Sequence, residues 1–120
     1  MTESKAFKIN VHEVIGGDAA ISAADGELLH DRLKKALQEK RNVVVDFTNI
    51  NLIVSSFLNA AFGQLVGEFD VKMLEEHLGW TNLVDEDQEL LKRVIKRAGL
   101  YFKDRKAFSK VISDDFEDDN

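Results

Sequence analysis

The chain contains no cysteine and no proline. Without thiols it can form neither disulfides nor thiolate metal sites, and a cytoplasmic setting is the simplest expectation. Without proline no rigid linker divides it, and 120 residues fit one domain. Long apolar runs are missing too, so no membrane helix is expected. The opening residues MTESKAFK lack the apolar core of a secretory leader. Positive charge is in deficit, with 16 Lys and Arg against 22 Asp and Glu and a net charge of −6. Phosphate binding needs clustered cations, so nucleic acid is not the expected partner.

What is present is an apolar fraction of 44%, enough for an ordinary core. Part of the acidity is local. Ser113–Asn120, SDDFEDDN, reads as a disordered, solvating tail, and residues 1–112 as the domain proper. Lys92, Arg93, Lys96, Arg97, Lys103, Arg105 and Lys106 form the one basic concentration, read first as a solvated helix face and second as a phosphate-seeking surface.

Along the chain, Phe7, Ile9 and Val11 alternate with Lys8, Asn10 and His12, the period of an edge strand with one wet face. Gly16-Gly17-Asp18 breaks it. Ala19–Ala24 stays open between a turn and a strand remnant. Asp25 is the expected cap of a helix whose apolar side is Leu29, Leu33, Ala36 and Leu37. Val43-Val44-Val45 reads as a central strand covered on both faces. Asp46–Asn49 forms a turn, and Ile50–Val54 a second extended run. A short helix from Val71, a last strand over Trp80–Val84, and a helix capped by Asp85, with Asp87 as the second candidate and Gly99 as a point of interruption, follow. Tyr101, Phe102 and Phe108 predict one more partly buried helical turn. The alternation of strands and helices predicts an α/β domain.

Between the second extended run and the helix from Val71 lies the central helix, opened by Ser55 and Ser56. At about 100° per residue, Leu58, Phe62, Leu65 and Phe69 cluster into a core stripe. Ser56, Ala60, Gly63 and Gly67, with Asn59 beside them, fall on the opposite side. Such a smooth back permits close approach, although two internal glycines weaken the helix. Either another helix of the same chain packs there, perhaps the carboxyl-terminal one in sequence order, or the back is a docking surface that is at least partly exposed. One serine is expected to cap the helix.

Asp46–Leu58, DFTNINLIVSSFL, resembles the signature of STAS domains, the sulfate-transporter and anti-sigma-factor-antagonist fold. Asp46, Phe47, Thr48, Ile50, Ile53, Ser55, Ser56 and Leu58 match without a gap. With Ser-Ser-Phe in place of the usual Ser-Ser-Gly, the chain looks like the smaller STAS-like family whose members have no assigned function. The resemblance spans about Ala19 to Ile95. Val54 stands where the wider family usually has Asp, and Phe57 where it usually has Gly.

The resemblance implies a mixed sheet of about four strands layered by helices, here with an extra C-terminal helix. It implies a non-catalytic, anti-sigma-factor-antagonist-like module that binds a histidine-kinase-like (GHKL) ATPase or a related sensor. Ser56 would be the phosphorylated switch residue, with Ser55 as the second candidate. Asp46, Thr48, Asn49, Asn59, Gly63 and Gly67 would contact the partner. The alternative from another class is a small-molecule or nucleotide sensor using the same helix start. A pocket lined by Thr48, Asn49 and the serine amides would favour that alternative.

No cofactor and no metal are expected: His12, His30 and His77 share no ligand spacing, and Gly16-Gly17 lacks the rest of a phosphate loop. No Gly-x-Ser-x-Gly elbow accompanies the serines, so no enzyme is expected. The chain is expected to be a monomer, or a weak dimer through the glycine stripe.

Overall fold

A computed structural model describes residues 6–100. The expectations for Tyr101, Phe102, Phe108, Lys103, Arg105, Lys106 and the acidic stretch 113–120 lie outside the described residues. Five strands appear: β1 (Phe7–Asn10), β2 (Ala19–Ala20), β3 (Val43–Asp46), β4 (Leu52–Ile53) and β5 (Leu78–Thr81). The helices are α1 (Val11–Ile15), α2 (Ala23–Gln38), α3 (Ser55–Leu58), α4 (Gln64–Glu68) and α5 (Val71–His77), with α6 over residues 85–100. A π-helical segment, Asn59–Gly63, joins α3 to α4 without a break, so Ser55–Glu68 is one continuous central helix.

β1, β3 and β5 form one sheet in the order β1-β3-β5, and β2 and β4 form a second. All three pairings are parallel, which requires the crossover segments that the helices supply. The α/β, STAS-like architecture expected from sequence is therefore present. In detail it has five short strands, and its paired strands run one way.

Register explains which face is buried. Phe7, Val43 and Leu78 align across the sheet, as do Ile9, Val45 and Trp80. Val43 and Val45 are buried there, on a sheet against which α2 packs, and just past the end of β3 the rings of Phe47 and Phe62 stack 6.4 Å apart. On the opposite face, Lys8, Val44 and Gly79 align. Lys8 is exposed and Val44 only half-buried, and among the described residues a methyl group on Gly79 would meet nothing within 4 Å. The three valines thus alternate, and the expectation of cover on both faces is corrected. A β-branched run fits either arrangement, because β-propensity reports a pleated surface rather than its depth.

Local chemistry moves several boundaries. Asn10 accepts the Glu13 amide on its side chain at 2.9 Å, which starts α1 and takes Val11 out of the strand. Ser22, not Asp25, caps α2, its Oγ accepting the Asp25 amide at 3.0 Å. Asp25 instead sits in the first turn, where a carboxylate suits the positive end of the helix. The last strand ends at Thr81 because Asn82 adopts φ 59°, a left-handed turn that asparagine tolerates. Val84, rather than Asp85, accepts the Gln88 amide that opens α6, and Gly99 does not interrupt that helix.

Leu29, Leu33 and Leu37 are fully buried on α2, as the periodicity predicts. α2 crosses the central helix so closely at Gly26 that an added methyl would lie 2.5 Å from the Phe57 carbonyl oxygen and 2.8 Å from Ala60 Cβ. Only glycine fits there. Nearby, His30 Nε2 donates to Glu68 Oε1 at 2.7 Å, and Lys34 Nζ lies 3.5 Å from Glu68 Oε2. These side chains fasten the far end of the central helix to α2.

Candidate functional site at the start of the central helix

The site is set by how β4 ends. The Val54 amide donates to the Ala20 carbonyl at 3.1 Å, continuing the β2–β4 ladder by one residue. Val54 therefore keeps an extended backbone, φ −122° and ψ 161°, and occupies the cap position with no side-chain bond to the helix. Ser55 and Ser56 become the first two helical residues. The expectation that one of them caps the helix is corrected: a cap must be extended, and the ladder holds Val54 in that role.

Both serines are exposed. Ser56 Oγ donates to the Ile21 carbonyl at 3.4 Å, a long bond that ties the first turn to the segment after β2. Ile21 is 48% exposed and Leu52 is 52% exposed. Strand alternation places Ala19, Ile21, Leu52 and Val54 on one side and Ala20 and Ile53 on the other. Ala20 and Ile53 are buried, so the outer face of the small sheet is apolar and borders the serine turn.

The smooth back of the helix is not continuous. Asn59 and Gly67 are exposed, whereas Ala60 and Gly63 are buried. Ala60 packs at the Gly26 crossing, and a methyl on Gly63 would lie 3.8 Å from Ala98 Cβ of α6. Where the glycine stripe was expected to be partly open, its middle is covered by the chain's own helices and its two ends face solvent.

Leu58, Phe62 and Leu65 are buried as the stripe predicts, and Phe69 is half-buried. Phe57 and Ala61 are fully buried as well. The sequence carries their signal in the series Phe57, Ala61, Leu65, at four-residue spacing, which the stripe begun at Leu58 omits. The π-helical turn adds to this, since its i→i+5 bonding aligns Phe57 with Phe62.

The other candidate residues gather at the carboxyl ends of β3 and β5. Asp46 is 6% exposed, and its Oδ1 accepts the Thr48 amide at 3.0 Å, the Thr48 hydroxyl at 2.6 Å and Asn82 Nδ2 at 2.9 Å. Asn82 Nδ2 also donates to Thr48 Oγ1 at 2.9 Å, and Lys8 Nζ lies 3.8 Å from Asp46 Oδ2. Burial alone would raise the Asp46 pKa. The Asn82 bond, the two Thr48 bonds and Lys8 outweigh it and leave the carboxyl below its ordinary value. Asn49 is exposed and turns the chain at φ 66°.

This cluster behaves as a strand-ending turn, a role open to Asp46 on sequence grounds, to which Asn82 is an addition. Among the described residues no hydrogen bond joins it to the serines. Asp18 stitches the β2 approach to this loop, its main-chain carbonyl accepting the Asn51 amide at 2.8 Å and its Oδ2 accepting Asn51 Nδ2 at 2.9 Å.

The histidines stand apart from one another. His30 is buried against Glu68, and His77 Nδ1 donates to Asn42 Oδ1 at 2.8 Å. Among the described residues no three His, Asp or Glu side chains converge as a ligand set. No helix there is long and apolar enough to cross a membrane.

Parallel strands roofed by helices, with a serine pair opening the helix that spans them, define a small α/β domain of STAS-like form. The family model of the STAS-like domain of unknown function matches residues 25–88, more than half the chain, and the chain belongs to that family. No curated protein and no solved structure matches it significantly.

Proposed function

We propose that this STAS-like domain is a non-catalytic regulatory module that binds another protein through the first turn of its central helix and the apolar outer face of β2 and β4. The observation that carries the reading is the exposure of Ile21 and Leu52 beside Ser55 and Ser56. Apolar side chains left in water at a polar rim are the pattern of a docking patch. The exposed ends of the small-residue stripe, Asn59 near the serines and Gly67 further on, extend the contact surface.

Ser56 is the switch residue in this account. Phosphorylation would replace the hydroxyl proton that now reaches the Ile21 carbonyl and put nearly two negative charges beside that oxygen. The tie to the segment after β2 would break, and a partner would have to desolvate the phosphate to dock. Val54 gives no carboxylate next to the serine, so like-charge repulsion would come from the partner alone. A histidine-kinase-like ATPase or a related sensor is the class of partner the resemblance offers.

The ligand-sensing alternative has less support, because the apolar groove between the central helix, α5, β5 and α6 is lined by none of Thr48, Asn49, Ser55 or Ser56. Incubation with protein kinases from the native host followed by intact mass tests the switch. One added phosphate, absent from Ser56→Ala, is expected. An unchanged mass, together with full partner binding by Ser56→Asp, would remove Ser56 from the mechanism and leave it a helical surface residue.

A further inference from the structure

The central helix, α5, β5 and α6 enclose a half-open groove of about 360 Å³ that no residue of the serine turn lines. Its walls are apolar, built by Leu65, Val66, Val71, Leu74, Trp80 and Ile95. Near Ala98 and Gly99 the helices converge: a methyl on Gly63 would lie 3.8 Å from Ala98 Cβ, and one on Gly99 3.7 Å from Val66 Cγ1. Val71 is 53% exposed, so the apolar wall reaches the rim. Lys92 and Lys96 also line the groove, both exposed and one turn apart on α6, and Glu75 is exposed on α5.

The lining selects a class of ligand by what it can and cannot satisfy. A nucleotide or sugar would turn hydroxyls and ring nitrogens toward leucine and valine, where they find no partner. The volume lies near the low end of small-ligand sites, about 300–1,000 Å³, which suits one narrow chain. At the rim the two lysines outnumber Glu75, and Arg93 and Arg97, exposed on the same helix, add to the positive field there. Lys92 Nζ lies 3.9 Å from Glu89 Oε2, with side chains 58% and 65% exposed, a pair weak enough to exchange for a ligand. On α5, Lys72 and Glu76 are exposed and opposite in sign. We propose that the groove binds a free single-chain alkanoate, its hydrocarbon laid along Leu65, Leu74, Trp80 and Ile95 and its carboxylate held at the rim by Lys92 and Lys96. The site is separate from the docking patch and does not depend on it.

Trp80 is the chain's only tryptophan and lines the groove, so its fluorescence in the full-length chain reports occupancy. Octanoate, decanoate and dodecanoate, each titrated below its micelle concentration, should change that signal saturably, with affinity rising about fourfold per added methylene. The amide resonances of Leu65, Leu74 and Ile95 should move with dodecanoate while those of Ser55 and Thr48 stay in place. Lys92→Glu combined with Lys96→Glu should weaken dodecanoate binding about tenfold and leave the weaker binding of decanol, which has the chain but no charge, unchanged. No Trp80 response to any of the three acids would overturn the proposal and leave the groove to a protein surface. Resonance shifts centred on Ile21 and Leu52 would overturn it by moving the ligand to the docking patch. Equal effects of the lysine reversal on acid and alcohol would overturn the role of the carboxylate. Sedimentation of the chain with phosphatidylglycerol vesicles through the same two lysines would overturn it in favour of an anionic membrane surface.

Discussion

Two stretches of the central helix are made of equally small side chains and meet opposite surroundings. At its first turn Ser55, Ser56 and Asn59 face solvent beside the bare Ile21 and Leu52. One turn later Ala60 and Gly63 are buried, the former pressed on Gly26 of α2 and the latter near Ala98 of α6. Small residues let backbones approach, but the sequence does not say whose backbone. In the middle the chain's own helices make the approach. At the start nothing among the described residues does, and that difference is the case for a partner.

The largest expected effect lies at the crossing. Gly26→Ala places a methyl against the Phe57 carbonyl and the Ala61 amide, neither of which can swing aside, so overpacking should cost about 1–3 kcal/mol. Gly67→Ala, at an exposed position of the central helix, should instead stabilise by up to ~1 kcal/mol. Urea midpoints of the two variants measure this, and a neutral Gly26→Ala would mean that the crossing is looser than described.

Next comes the clamp at the far end. His30→Ala leaves Glu68 without its 2.7 Å donor and should cost about 1–3 kcal/mol. Lys34→Ala, at 3.5 Å and partly exposed, should cost under about 1 kcal/mol. Equal losses in chemical denaturation would show that the buried bond is no stronger than the surface pair.

Asp46 gives a pH-dependent prediction. Its folded pKa is lowered below the ordinary 3.8, so the unfolded chain binds this proton more readily. The stabilisation is therefore present above that ordinary value and is lost as pH falls through the folded pKa. Asp46→Asn should be less stable at neutral pH and lose less stability on acidification. Melting temperatures across the acidic range check the sign, and an Asp46→Asn profile as steep as the wild type would assign the acid sensitivity elsewhere.

The smallest effect belongs to the serine turn. Ser56→Ala removes one 3.4 Å bond at an exposed site, and Ser55→Ala and Ser56→Ala should each shift stability by no more than about 0.5 kcal/mol. A thermal melt showing a loss comparable to Gly26→Ala would make the serines structural and erase the contrast between the two stretches.

The layered α/β plan was legible because its signals are long: the apolar face of α2, the valine run of β3 and the Ser-Ser opening of the central helix. What escaped depends on who else is near. Val43, Val44 and Val45 look alike in sequence, and only the place of Val44 on the Gly79 side of the sheet, the less covered side among the described residues, separates them. The cap at Val54 follows from one backbone bond to Ala20, thirty-odd positions away in the chain, which no local pattern encodes. Gly26 reads as an ordinary helix residue until the Phe57 carbonyl is placed above it. Asn82 belongs with Asp46 and Thr48 only because β5 lies beside β3. The candidate residues were sorted in the same way: Ser55, Ser56, Thr48, Asn49, Asn59 and Gly67 reach the surface, whereas Asp46 and Gly63 are buried.

The docking claim is tested most directly by a photo-crosslinking residue in place of Leu52, with a matched control at exposed Lys35 on α2, in extracts of the native host. A discrete protein adduct at position 52 that is missing at position 35, and that disappears when Ser56→Asp is added, is the outcome predicted. Identical adduct patterns at the two positions, or none at position 52, would contradict a partner seated on the apolar sheet face beside the serines.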